Sequence, residues 1–154
     1  PLRDPVHGLI TFEHEEESIV PRLLAAPEVQ RLRRIRQLGL TCLAFPGAEH
    51  TRFSHALGAA HVMRLLLARL RQIHDELPFW QRVTSERARD ALAAALLHDL
   101  GHGPLSHLFE DALTQISGDS DGAQRRSHEQ WTEQILHKEY QGRPHEKPNS
   151  DEQK

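Results

Sequence analysis

The run Ala91–Leu97 has no polar side chain and ends on His98-Asp99, after which Gly101, Gly103 and Pro104 follow within five residues. Apolar residues on every side mark a helix that is buried all round, and the Gly and Pro residues stop it at the histidine-aspartate pair. Two ionisable side chains are thus delivered to the end of a core helix, where burial without partners is costly. A neutral imidazole beside a carboxylate is a mixed nitrogen and oxygen donor pair, suited to a divalent ion of intermediate hardness such as Fe, Mn, Zn or Ni.

Adjacent residues on a helix point about 100° apart, so such a pair does not chelate one ion from mid-helix. At a helix end the glycines let the backbone turn, and a third ligand can come from the start of another buried helix. His55 has that placement. A rival motif is His-x-x-x-His, formed by His98 and His102, but Asp99 stands where a metalloprotease has its Glu base and Gly101 ends the helix before His102 aligns. The plain alternative is that these histidines only cap helix ends. With His55, His98, Asp99, His102, His107 and His128 nearly all at predicted helix ends, a metal or phosphate partner is the better expectation.

The rest of the chain reads as a mostly helical domain. Asp4-Pro5-Val6-His7-Gly8 is a turn leading into a short strand through Leu9–Phe12. Glu16–Leu24 has helical spacing, and a second helix is expected from Pro27 to about Leu38, stopped by Gly39, with Val29, Leu32 and Ile35 on its apolar side. Its arginines, Arg31, Arg33, Arg34 and Arg36, form either a solvated face or a phosphate site. Ser54 is the expected cap of a core helix from His55 to about Arg71, and Ser85 that of the helix ending at His98. Pro104 is expected to open a helix burying Leu105, Leu108, Phe109, Ala112, Leu113 and Ile116. Residues 117–124 read as a loop, and Ser127-x-x-Gln130 as a capping box for a last helix carrying Trp131, Ile135 and Leu136.

With 154 residues, 38% hydrophobic and 27% charged, the chain suits one compact domain. The formal net charge of -3 gives no reason to expect nucleic acid or an anionic membrane as partner. One cysteine, Cys42, rules out a disulfide framework or a Cys-rich zinc site. No apolar run is long enough to span a bilayer, and the start is neither a signal nor a transit peptide, so a cytoplasmic domain is expected.

Several motifs recur in one order: Asp4-Pro5-Val6-His7-Gly8, Gln30-Arg31-Leu32-Arg33, Gln37-Leu38-Gly39, Phe45-Pro46-Gly47-Ala48, Arg52-Phe53-Ser54-His55, Leu97–His107 and His128-Glu129. On these the chain resembles the HD-domain phosphohydrolases, specifically the SAM-and-HD-domain deoxynucleoside triphosphate triphosphohydrolases and their bacterial relatives. The resemblance implies an all-α, HD-domain-like helical bundle with a short β segment near the N-terminus, incomplete at its C-terminal end. Residues 1–140 would be the N-terminal part of the HD domain and 141–154 a disordered polar tail.

It further implies that His55, His98 and Asp99 hold a divalent metal ion (Fe, Mn, Zn, Ni or Mg), that Arg52 contacts substrate phosphate, and that Gln37 and Leu38 face the deoxyribose. His102, His107 and His128 would line the phosphate channel, with His107 the proton-transfer residue and Glu110 its acidic partner. The implied reaction takes a dNTP and water to a deoxynucleoside and triphosphate, with a homo-oligomer as the family's larger assembly. The implied fourth metal ligand is an Asp on a later helix; Asp119, Asp121 and Asp151 do not sit in a matching context. Ala25 stands where a guanine-reading Asp would be, although Gln30 and Arg33 match. The alternatives are a catalytically silent HD fragment that binds nucleotide or protein, and an HD phosphohydrolase acting on another nucleotide.

Overall fold

A computed structural model describes residues 1–76, 78–105, 107–116 and 127–142. The chain opens with an antiparallel hairpin, β1 (Leu2–Asp4) and β2 (Gly8–Ile10), in the register Leu2↔Ile10 and Asp4↔Gly8. The Asp4 carboxylate closes the turn by accepting the Val6 and His7 amides, each at 2.9 Å. Gly8 sits at φ +73°, which a side chain would disfavour. The sequence signalled the turn and the second strand; β1 carried too little pattern to be seen. Its partner strand ends on Ile10, which is fully buried.

Among the described residues six helices follow: α1 (Ile19–Leu24), α2 (Pro27–Arg31), α3 (Arg52–Gln72), α4 (Ser85–Leu97), α5 (His107–Ile116) and α6 (His128–Gly142). The central pair is α3 against α4, with α1 and a 3-10 turn at Glu15–Ser18 packed on α4. Ala56, Leu57 and Ala60 of α3 share one buried cluster with Ala88, Leu92 and Leu96 of α4 and with Val20, Leu24, Val29 and Leu32. The all-α expectation with a short N-terminal β segment holds. No helix among the described residues is long and apolar enough to cross a membrane.

Several local expectations are corrected. The helix from Pro27 does not reach Leu38: α2 gives way to a 3-10 turn at Leu32–Arg34, and Ile35 is extended at φ -114°, ψ 115°. Ile35 leaves the helix because its carbonyl accepts the Arg52 amide at 2.8 Å while Arg36 bridges Thr51, a pairing across sixteen residues that outweighs local propensity. Gly39 therefore starts a 3-10 turn, Gly39–Leu43, instead of stopping a helix.

The caps of α3 and α4 are Thr51 and Thr84, one or more residues before the expected Ser54 and Ser85; each threonine hydroxyl accepts the amide of its helix's third residue at 3.2 Å. Helix α5 begins at His107 and not Pro104, with Leu105 left-handed at φ +64°. Its expected apolar stripe is largely open to solvent, with Leu108 58% and Ile116 82% exposed. Among its described side chains α5 buries Glu110. The expected box on α6 is present in its return half, with Gln130 Oε1 accepting the Ser127 amide at 3.1 Å. Helix α6 runs through Gly142, and residues 143–154 of the expected polar tail lie outside the described residues.

Candidate metal and phosphate site

Thr51 starts α3 just early enough to place both Arg52 and His55 in its first turn, and α4 ends by presenting His98 and Asp99 toward them. The His55 and His98 Nε2 atoms are 3.2 Å apart, with their rings edge to face at 66°. Asp99 Oδ2 is 3.6 Å from His55 Nε2, and Asp99 Oδ1 is 3.4 Å from His98 Nε2. These donors lie within 4.8 Å of one another. Two imidazole nitrogens and a carboxylate thus lie around a common point, as a small divalent ion requires.

The imidazoles can turn the nitrogens such a site needs toward it. His98 Nδ1 lies 2.9 Å from the Ala95 carbonyl, which can only accept, so Nδ1 carries a proton and Nε2 is the nitrogen left to face an ion. Burial, with the His98 and Arg52 charges adding to it, lowers the His55 pKa against the pull of Asp99. The His55 ring is therefore neutral at pH 7. Asp99 is 7% exposed and its charge is met by the Arg52 guanidinium at 2.5 Å. The donor chemistry fits a divalent metal.

Behind Asp99 the chain turns tightly, and α6 packs directly on the turn. A Cβ on Gly101 would stand 2.1 Å from the His128 carbonyl oxygen and 2.5 Å from the Thr132 nitrogen, so glycine is required by proximity. The Gly101 amide donates to Thr132 Oγ1 at 2.8 Å, and that hydroxyl donates to the His128 carbonyl at 2.9 Å. This seats the His128 ring on that of His102, with centroids 3.9 Å apart and planes 13° from parallel. Glu110 Oε1 is 3.6 Å from Nδ1 of both rings. Desolvation, followed by the Arg52 and His128 charges, pushes His102 down to about 4, outweighing Asp99 and Glu110. Asp99 Oδ1 lies 3.6 Å from His102 Nε2, so the carboxylate joins the His55 and His98 imidazoles to the stacked pair.

A cavity of about 490 Å³ opens beside this cluster. Arg52, His55 and Asp99 supply its ionisable wall, Gln37 a neutral amide, and Leu38, Leu40 and Leu108 apolar surface. The sequence-derived set is therefore largely brought together: His55, His98 and Asp99 in one group, His102, His128 and Glu110 in a second, and Arg52, Gln37 and Leu38 around the opening. His107 is the first residue of α5, and its side chain lies outside the described residues.

Three arginines of this segment, Arg31, Arg33 and Arg36, are exposed and each has a protein partner. Arg31 donates to the Leu100 carbonyl at 2.6 Å and the His102 carbonyl at 3.1 Å, holding the turn that carries Asp99. Arg33 lies 3.7 Å over the Phe53 ring and donates to Gln30, and Arg36 pairs with Glu49 at 3.0 Å. Arg31 and Thr132 are supporting residues that sequence reasoning missed, because each acts on backbone far away in the chain. A lone threonine inside a helix carries no such signal.

The comparisons with known proteins agree with this geometry. The HD domain family matches residues 52–146, and the chain belongs to that family. It is 47% identical over 109 residues to the uncharacterized protein YwfO of Bacillus subtilis, covering 71% of this chain and 23% of that protein. It is 44% identical over 119 residues to deoxynucleoside triphosphate triphosphohydrolase SAMHD1 of Gallus gallus, covering 75% of this chain and 18% of that one. The crystal structure of a phosphohydrolase from Bacteroides thetaiotaomicron superposes with a TM-score of 0.72 at 34% identity, covering 91% of this chain and 30% of that chain. The chain carries the HD-domain phosphohydrolase fold and spans about a fifth of the length of the curated relatives it matches.

Proposed function

We propose that this chain forms the metal-binding and phosphate-binding part of an HD-type phosphohydrolase, and that its reaction is the hydrolysis of a dNTP to a deoxynucleoside and triphosphate. The observation that carries the reading is the convergence of His55, His98 and Asp99 beside a cavity lined by Arg52 and Gln37. The similarity to SAMHD1 supports the choice of dNTP as substrate.

His55, His98 and Asp99 would hold a divalent ion, Fe, Mn, Zn, Ni or Mg. When bound, that ion supplies neutralisation of phosphate charge and activation of water. Arg52 presents a fixed positive charge to the phosphate oxygens and stays close to Asp99. His102 and His128, stacked beside Glu110, offer imidazole nitrogens that take or share a proton as charge shifts at the phosphate. His107 is the proposed proton donor to the leaving sugar oxygen, and Leu38 with Gln37 faces the deoxyribose. A further carboxylate on a later helix is the expected fourth ligand, and assembly into a homo-oligomer belongs to the same reading.

The test is incubation of the metal-loaded chain with a dNTP panel, followed by phosphorus NMR of the products. Triphosphate and deoxynucleoside are expected, and His98→Ala should cut the rate by about a hundredfold or more with loss of bound metal. Pyrophosphate or orthophosphate as the product would move the reading to another nucleotide ester. No bound metal and no hydrolysis at high protein concentration would leave a silent binding fragment.

A further inference from the structure

A second cavity, of about 320 Å³, is formed by α3, α4 and the 3-10 turn at Glu15–Ser18. It is remote from the metal and phosphate site: Arg64, on its wall, stands nine residues beyond His55, about 14 Å along α3. Part of the wall is apolar, from Leu67, Ala88 and Leu92, all of them buried. The charged part comes from Arg64, Arg71, Glu16 and Glu17.

These four charges are unequally matched. Arg71 pairs with Glu16 at 2.6 Å. Glu17 is buried and accepts the Glu13 amide at 2.8 Å and the His14 amide at 3.2 Å. Arg64 has a different kind of partner: among the described residues it is the buried His61, whose Nδ1 lies 3.4 Å from Nη2. A guanidinium only donates, so Nδ1 accepts and the His61 ring in this pair is neutral. Arg64 Nε is buried with no acceptor among the described residues, which leaves the terminal nitrogens as the donors a ligand can reach. A partly buried cation held by a neutral ring gains strongly from an anionic acceptor, and its planar fork matches a carboxylate.

We propose that this cavity binds a small monocarboxylate with an apolar body, its carboxylate on the terminal nitrogens of Arg64 and its hydrocarbon against Leu67, Ala88 and Leu92. The site is independent of the nucleotide reading. One unmatched positive charge selects a monoanion, because a phosphate dianion would set its second charge against Glu16 and Glu17. The leucines contribute only if the ligand carries hydrocarbon to bury. A volume near 300 Å³ is the lower end of the range that small-molecule sites occupy.

The probe is hexanoate, titrated at pH 7 into the nitrogen-15-labelled full chain and followed by NMR and calorimetry. Binding with a Kd of about 1 mM or tighter is expected, with saturable shifts at the amides of Arg64, Ala68, Ala88 and Leu92. Hexanol and inorganic phosphate should each bind about tenfold more weakly or worse. Arg64→Gln should weaken hexanoate by about tenfold or more, while Arg69→Gln, which removes an exposed cation further along α3, should leave its affinity unchanged. Ala68→Leu keeps every charge and adds bulk to the cavity wall. It should abolish binding with the rest of the spectrum preserved, and it decides the matter if Arg64→Gln fails to fold. Four results would each overturn the proposal: no saturable shift, shifts confined to His55 and His98, phosphate binding as tightly as hexanoate, or full affinity in folded Arg64→Gln or Ala68→Leu.

Discussion

Asp99 is the residue on which the two groups of histidines meet. Its carboxylate is nearly buried, faces His55 and Arg52 through one oxygen, and faces His98 and His102 through the other. A buried charge of this kind is kept only by such partners. His102 has the matching constraint: it is held neutral inside, with a pKa pushed down to about 4 from the ordinary 6.5. Because the folded value is depressed, the unfolded chain binds the extra proton between those two values, so stability is full above pH 6.5 and falls as pH drops toward 4. The contribution is on the order of 3 kcal/mol. Urea denaturation of the metal-free chain at pH 7 and pH 4.5 should show the loss, and His102→Gln should flatten much of the difference. An unchanged slope in that variant would mean that other groups dominate the acid sensitivity.

At the scale of elements, the site depends on how closely α6 approaches the end of α4. Gly101→Ala would set a methyl group against the His128 carbonyl and the Thr132 nitrogen, both backbone atoms that cannot swing aside. A loss of about 3 kcal/mol is expected, with displacement of α6 and unstacking of His128 from His102. Chemical denaturation gives the first quantity, and the proton NMR shifts of the two imidazoles give the second. Wild-type stability with unaltered shifts would show that the two elements are not in contact in solution. The other support comes from α2, where Arg31→Ala removes two hydrogen bonds to the turn carbonyls. It should cost about 1–3 kcal/mol and weaken metal binding, while Arg34→Ala on the same segment should change neither.

For the whole molecule, the proposed metal joins the first turn of α3 to the last turn of α4, the pair that forms the centre of the core. An ion that binds only the folded arrangement adds stability by mass action, about 2.7 kcal/mol at a hundredfold excess over its Kd. For a chain of this length that is a rise in Tm of about 5–10 °C on adding Mn or Zn, absent in His98→Ala. The same rise in the variant would place the ion elsewhere. Scanning calorimetry reads this without any assay of activity.

Much of this was legible in the sequence, and the reasons are local. Ala91–Leu97 had to be a buried helix, the glycines and Pro104 had to end it, and His98 with Asp99 therefore had to emerge at its end. The start of α3 was readable within a few residues from its capping hydroxyls, which put His55 in its first turn. Side-chain chemistry and helical period are properties of short stretches, so they survive without knowledge of the fold. What the tertiary structure alone decided involves partners distant in the chain. Ile35 leaves its helix to pair with Arg52, Glu110 turns inward while the apolar side of α5 stays open, and Gly101 yields to α6. Arg31 and Thr132 gain their roles from backbone that lies 31 to 71 residues away. The helix that ends on His98-Asp99 was fixed by its own apolar residues, but the convergence of its two donors with His55, and the imidazole pair behind them, required the packing of α3 and α6 that no single stretch encodes.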